Sequence, residues 1–283
     1  MTPPDTDRAP VDLDRARTVA IRAAEDAARI QRAHLGGDLQ IDTKSSDTDL
    51  VTQVDRACEA RIREAIADAF PGHVVLGEEQ GQTGEARCRW IVDPLDGTLN
   101  YAHGFPFYCV SIALEVDGVV QLGVVLDTPR DELFVAVRGR GASANGRPIA
   151  PSTETRPIAA MLATGFAYVP EQQHENLAIF ARVLPQVRAV RRPGAAALDL
   201  CYVACGRLDG FWELKLNAWD VAAGVLIIQE AGGTVTDGSG APYRLNDRVL
   251  VASNGPLHAK LVSLLDVAGD GNATIAEGGR PSS

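Results

Sequence analysis

Six consecutive residues, Asp93-Pro94-Leu95-Asp96-Gly97-Thr98, constrain this chain more than any other stretch. They follow the apolar run Trp90-Ile91-Val92, which reads as the end of a buried strand. Pro94 lacks an N–H and fixes its own backbone, so no helix runs through the stretch. Gly97 allows a backbone conformation that other residues avoid. Asp93 and Asp96 flank the proline turn, so both carboxylates can face one cavity. Acids held this close repel unless a cation lies between them, and hard carboxylate oxygens suit Mg²⁺. A helix can begin at Gly97-Thr98, and the unbonded N–H groups of a helix start bind phosphate. Taken alone, Asp-Gly after a strand also reads as an ordinary turn. Two further acidic stretches argue for more than a turn: Gly77-Glu78-Glu79 upstream and Trp219-Asp220 far downstream.

The rest of the chain supports a large mixed fold. Its 283 residues are 46% hydrophobic, enough for a substantial core. Apolar positions from Leu13 to Ile30 recur at helical spacing, and Gly36-Gly37 is a natural stop. A polar connection, 44–52, precedes a second helix that Thr52 caps and that runs to about Phe70. Asp55 falls in its first turn, where the helix dipole favours a surface acid. Strands at 110–117, 119–126 and 132–138, with turns between them, read as an antiparallel meander. The second half alternates: strands at 159–164, 187–190, 208–213, 234–236 and 249–252, and helices at 172–184, 195–205, 219–231 and 256–267. The expected fold class is α/β (α+β), with an antiparallel-rich sheet first and a smaller mixed sheet second. We expect a single domain over 11–267 with sub-regions 11–150 and 151–267, and disordered ends at 1–10 and 268–283.

Charge and cysteines exclude several classes. A formal net charge of −10 argues against broad nucleic-acid binding. Five scattered cysteines form neither a disulfide framework nor a zinc pattern, which fits a cytoplasmic protein. Residues 1–14 are polar, proline-rich and acidic, unlike a signal peptide, and no apolar run is long enough to span a membrane. Ser111 lies in a strand without a nucleophile elbow, so a serine hydrolase is not expected.

Together these motifs resemble the inositol monophosphatase-like, magnesium-dependent phosphatases. The resemblance spans roughly residues 10–265. It rests on Gly77-Glu78-Glu79, on Asp93 to Thr98 continuing as Asn100-Tyr101 and Phe105-Pro106, and on Trp219-Asp220-Val221-Ala222-Ala223-Gly224. Lys44-Ser45-Ser46, Asp49-Leu50-Val51-Thr52 and Asp55 match the family's N-terminal segment. The resemblance implies a layered αβαβα sandwich, a homodimer, inhibition by Li⁺, and hydrolysis of a phosphate monoester with two or three Mg²⁺ ions. Glu78, Asp93 and the backbone carbonyl of Leu95 match the ligands of one ion, and Asp93, Asp96 and Asp220 those of a second. Glu79 matches a contact made through water, and Lys44 a lysine on the entrance loop.

By the same resemblance, Glu78 and Thr98 position the attacking water and take its proton, with Asp55 orienting the Thr98 hydroxyl. Gly97 and Thr98 would cradle the phosphate through their N–H groups. Gly194, Ala195, Ala196, Asp96 and Glu213 match the positions that contact the substrate's polyol or sugar. Ala195 departs from the hydroxyl residue common there, and Leu99 from a second threonine, so the metal set is complete while the substrate set is altered. Inositol 1-phosphate is the first expected substrate. Fructose 1,6-bisphosphate, histidinol phosphate and 3′-phosphoadenosine 5′-phosphate follow it. A non-catalytic binding module that keeps the metal site is the alternative outside enzymes.

Overall fold

The computed structural model describes residues 10–37, 39, 41–43, 50–167 and 173–265. Lys44, residues 1–9 of the start expected to be disordered over 1–10, and the expected tail 268–283 lie outside them.

Helix α1, Leu13–His34, starts where Asp12 accepts the N–H of Arg15 at 2.9 Å. Its buried face is a stripe of alanines, from Ala16 to Ala28. Small side chains let it lie close against α2, Gln53–Ala69, which turns Val54, Cys58, Ile62 and Ile66 inward. Both helices cover one face of an eight-stranded sheet.

That sheet comprises β3 (Val74–Gly77), β4 (Gly81–Gln82), β5 (Cys88–Asp96), β6 (Cys109–Val116), β7 (Val119–Asp127), β8 (Glu132–Val137), β9 (Ala142–Ala144) and β10 (Arg147–Pro148). Its order is β10-β9-β8-β7-β6-β5-β3-β4, antiparallel except for the pair β3 and β5. Side chains alternate between its faces. Trp90, Val92, Val110, Ile112 and Val124 pack on α1 and α2. Ile91, Cys109, Ala113, Val125 and Phe134 pack on the opposite side against α5 (Ala196–Ala204) and α6 (Ala218–Ala231). Gly123 permits the close approach there, because a Cβ on it would stand 2.7 Å from the carbonyl oxygen of Ala223.

Beyond α5 and α6 lies the second sheet. Its strands are β11 (Met161–Thr164), β12 (Ala189–Arg191), β13 (Gly210–Leu214), β14 (Thr234–Thr236) and β15 (Val249–Ser253), in the order β12-β11-β13-β15-β14. It is mixed: β11 runs parallel to β12 and β13, and β15 runs antiparallel to β13 and β14. Helices α4 (Gln173–Val183) and α7 (His258–Leu265) close its outer face. The layers therefore run helices, sheet, helices, sheet, helices, as expected.

The structure differs from the sequence expectations in three places. The polar connection before α2 pairs as a short hairpin, β1 (Ile41–Thr43) with β2 (Leu50–Thr52). After β8, where the sequence reading placed no further strand before 159, β9 pairs with β10 around Asn145 at φ 47° and Gly146 at φ 74°. Strand β5 also runs on through Pro94 to Asp96 instead of ending at Val92. Its pairing with β6 shifts register between Asp93 and Asp96, where the proline has no N–H for the ladder.

Candidate active site

The irregular end of β5 builds the centre of the site. The N–H of Leu95 donates to Asp93 Oδ1 at 3.0 Å, which folds the Asp93 carboxylate back over the turn. Gly97 takes φ 94° and begins a short helix, α3 (Thr98–Ala102). A side chain at Gly97 would also meet the Phe107 carbonyl oxygen at 2.9 Å, so only glycine fits. The Thr98 hydroxyl lies 2.9 Å from Asp55 Oδ1 and 3.0 Å from the Leu95 carbonyl oxygen. Asp55 is fully buried, not the surface acid its helix position suggests. Its Oδ2 accepts the N–H and the hydroxyl of Thr52, at 2.9 and 2.6 Å, which closes the capping box of α2.

Other elements bring the remaining acids. The N–H of Glu78 donates to the Val92 carbonyl at 3.2 Å, so Glu78 leaves β3 beside Asp93. Asp220 is the third residue of α6, and its Oδ2 accepts the N–H of Asn217 at 2.7 Å. Asp96 Oδ2 accepts the Ala197 N–H at 2.7 Å in the first turn of α5. The first turns of α5 and α6, the positive ends of their dipoles, thus each receive one carboxylate of the set. Asn100 Nδ2 donates to the carbonyls of Phe107 and Pro193, at 2.7 and 2.8 Å, and fixes the loop that leads to Gly194.

Glu78, Asp93, Leu95, Asp96, Gly97, Thr98, Gly194, Ala195, Ala196, Glu213 and Asp220 line one cavity. The space inside it is about 660 Å³ including the open mouth, enough for a small-molecule substrate. Leu50, Leu99, Phe166 and Leu216 add apolar wall, and Arg192 is the basic side chain among the described lining residues. Glu79 is not in the wall; its N–H donates to Glu59 at 2.7 Å.

Burial dominates the electrostatics. It raises Asp93 well above the carboxylate range, and the nearby Glu78, Asp96 and Asp220 raise it further. Burial likewise raises Asp220 well above that range, with Glu78 and Asp96 adding to it. Asp96 is pushed up to about 7 by burial, against the opposing pull of the Ala197 N–H. Glu213 is pushed up to about 8, again by burial first and then by Asp96, with Arg192 pulling it down. Acids so placed hold protons unless a cation replaces them. Among the described residues, no three acidic, histidine or cysteine side chains form a ready-made metal cage. The donors facing the cavity are nonetheless all oxygens, with mutual repulsion that a divalent ion would relieve, so the residue set fits Mg²⁺.

The structure also adds residues that sequence reasoning missed. Glu59, buried in α2, accepts the N–H groups of Glu79 and Gln80 at 2.7 and 3.1 Å and pairs with Arg63 at 2.8 Å. It anchors the loop that carries Glu78. Gln31, buried in α1, donates to the Pro94 carbonyl at 2.9 Å and steadies the proline turn. Neither carries a local motif.

The comparisons with known proteins identify the family and the fold. The model of the inositol monophosphatase family matches residues 12–268. The chain is 44% identical to Inositol-1-monophosphatase of Synechocystis sp. over 230 residues, 80% of either chain. It is 43% identical to Nus factor SuhB of Pseudomonas aeruginosa, covering 83% of this chain and 90% of that one. Among solved structures, extragenic suppressor protein suhB from Bartonella henselae superposes with a TM-score of 0.85 at 40% identity, over 89% of this chain and 98% of that one.

Proposed function

The chain belongs to the inositol monophosphatase family and is a phosphatase, and we propose that it hydrolyses the phosphate monoester of a small polyol or sugar, inositol 1-phosphate first. One observation carries the reading: Glu78, Asp93, Asp96 and Asp220 converge on a cavity whose wall also holds Glu213. Relatives named Nus factor SuhB match as well as those named for inositol phosphate, so the substrate reading rests on the site and not on names.

The family is generally Mg²⁺-dependent. Glu78, Asp93, the Leu95 carbonyl, Asp96 and Asp220 would hold the ions. Bound there, Mg²⁺ supplies positive charge that makes water a nucleophile near neutral pH and stabilises the departing oxygen. The chain's own groups do the rest. Glu78 and Thr98 hold the attacking water, and Glu78 takes its proton. Asp55 accepts the Thr98 hydroxyl proton, which leaves that oxygen's lone pairs for the water. The N–H groups of Gly97 and Thr98 cradle the phosphate. Glu213 and the loop Gly194-Ala195-Ala196 meet the polyol, and fixed groups that bind hydroxyls discriminate against compounds lacking them. By the family resemblance, Glu79 would act through water and Lys44 would balance phosphate charge. Arg192 favours a second reading, a substrate with a second phosphate such as fructose 1,6-bisphosphate. We further propose a homodimer in the cytoplasm, a compartment consistent with five free cysteines.

The test is phosphate release from inositol 1-phosphate, fructose 1,6-bisphosphate, histidinol phosphate and 3′-phosphoadenosine 5′-phosphate, with and without Mg²⁺. Mg²⁺-dependent turnover strongest on inositol 1-phosphate is the expected result. Strongest turnover of the bisphosphate supports the role of Arg192 instead, and release from none of them overturns the substrate reading.

A further inference from the structure

We infer that Gly165 is a specificity-determining residue of this cavity: the room left by its missing side chain is the seat of the Glu213 carboxylate, and Asn176 holds that seat in register. The inference rests on the reading that Glu213 meets the polyol.

Gly165 directly follows β11, and Glu213 lies on the neighbouring parallel strand β13. Thr164 pairs with Trp212, so Gly165 and Glu213 are the next residues along on the two strands. A Cβ built on Gly165 would stand 2.2 Å from each carboxylate oxygen of Glu213 and 2.3 Å from its Cδ. At such distances a side chain here and the Glu213 carboxylate cannot both keep their places, and the carboxylate, at the end of a flexible side chain, is what gives way. Gly165 is not among the glycines with positive φ, so its backbone does not demand glycine. What glycine provides is the space in which the Glu213 carboxylate sits.

The register of this pair is fixed from behind. Asn176, buried in α4, donates through Nδ2 to the Gly165 carbonyl oxygen and to Thr164 Oγ1, the latter at 3.0 Å. Its Oδ1 accepts the indole N–H of Trp212 at 2.7 Å. One buried amide therefore ties the backbone of the seat to the residue just before Glu213. Such a bond set is costly to leave half made, which keeps the two strand ends aligned. Gly165 and Glu213 both line the cavity, so the position of this carboxylate is a property of the substrate wall. Even a methyl group at position 165 would displace it into another rotamer and move the acceptor that the leaving group's hydroxyls must find.

The experiment is a double-mutant cycle of Gly165→Ala and Glu213→Ala. It is read on inositol 1-phosphate and on p-nitrophenyl phosphate, whose leaving group has no polyol hydroxyls. For Gly165→Ala, the ratio of kcat/KM for inositol 1-phosphate over the aryl ester should fall about tenfold, mainly through KM. In the Glu213→Ala background the same substitution should leave that ratio where Glu213→Ala alone puts it, because no carboxylate remains to displace. Any loss of thermal midpoint in Gly165→Ala should also be relieved in the double variant. An equal loss on both esters, or the same loss with Glu213 already removed, would overturn the seat. A different failure marks the underlying reading: Glu213→Ala alone leaving the wild-type ratio unchanged would show that Glu213 does not meet the polyol.

Discussion

At Asp55 one carboxylate serves two neighbours with different oxygens. Oδ2 takes both donors of Thr52 and caps α2, while Oδ1 takes the hydroxyl of Thr98 in the cavity. An asparagine of the same shape has only one acceptor. In Asp55→Asn, either the cap loses its acceptor or Thr98 faces an NH₂ and turns its hydroxyl to the Leu95 carbonyl, 3.0 Å away. We predict a fall in kcat of about 10–100-fold, the usual size for partners that orient a metal site. KM should hold, and the fold should persist with a loss of about 1 kcal/mol. Unchanged kcat in steady-state kinetics would remove Asp55 from the site. From the helix alone Asp55 looked like a dipole-friendly surface acid; only its match to a family motif indicated otherwise. Glu59 was less legible. It sits among charged residues of α2, and its partners, the N–H groups of Glu79 and Gln80, lie twenty residues along the chain. Spacing within one helix carries no trace of such a contact.

The elements were read more readily than their pairing. Near-continuous apolar runs between turns marked β6, β7 and β8, because both faces of that sheet are buried under helices. The hairpin of β1 and β2 was not visible, since only half of its residues are apolar and its strands are three residues each. The parallel seating of β3 beside β5 is a matter of topology, which periodicity does not encode. In the second sheet, α7 is pinned by one histidine. His258 Nε2 lies 2.9 Å from Thr236 Oγ1, and Nδ1 lies 2.9 Å from Ser253 Oγ. The Thr236 hydroxyl donates to the Asp237 carbonyl, so Nε2 is assigned as the donor and Nδ1 as the acceptor from Ser253. Burial lowers the pKa of this ring, as it does for His73. The unfolded chain therefore takes up the proton first as pH falls. The stability contributed by the neutral ring is complete above about pH 6.5 and is lost as pH drops through the folded value. These two rings thus lower the thermal midpoint between pH 7 and 5, while the raised acids of the site act in the opposite direction, and in His258→Gln the midpoint should fall less, or rise more, over that range than in the wild type. Identical slopes in both proteins would contradict this assignment.

The whole molecule is arranged around a liability. Three layers of helices and two sheets bring Asp93, Asp96 and Asp220 together at one end of α5 and α6. In the sequence, two acids flanking a proline turn hinted at a cation. That Asp220 joins them from more than a hundred residues away came from the family resemblance, because only the folded layers bring α6 beside β5. Burial and mutual repulsion push these acids to hold protons, which opposes folding with all of them charged. A pair of Mg²⁺ ions would reverse that cost and supply the chemistry at once. The most direct measurement is release of phosphate from inositol 1-phosphate by the wild type and by Asp220→Asn, each titrated with Mg²⁺ after chelation. Wild-type turnover should fall to background without Mg²⁺ and return on its addition, and the variant should fold yet stay at least about a hundredfold slower at saturating Mg²⁺. Full wild-type turnover in chelator, or full turnover by Asp220→Asn, would contradict this reading.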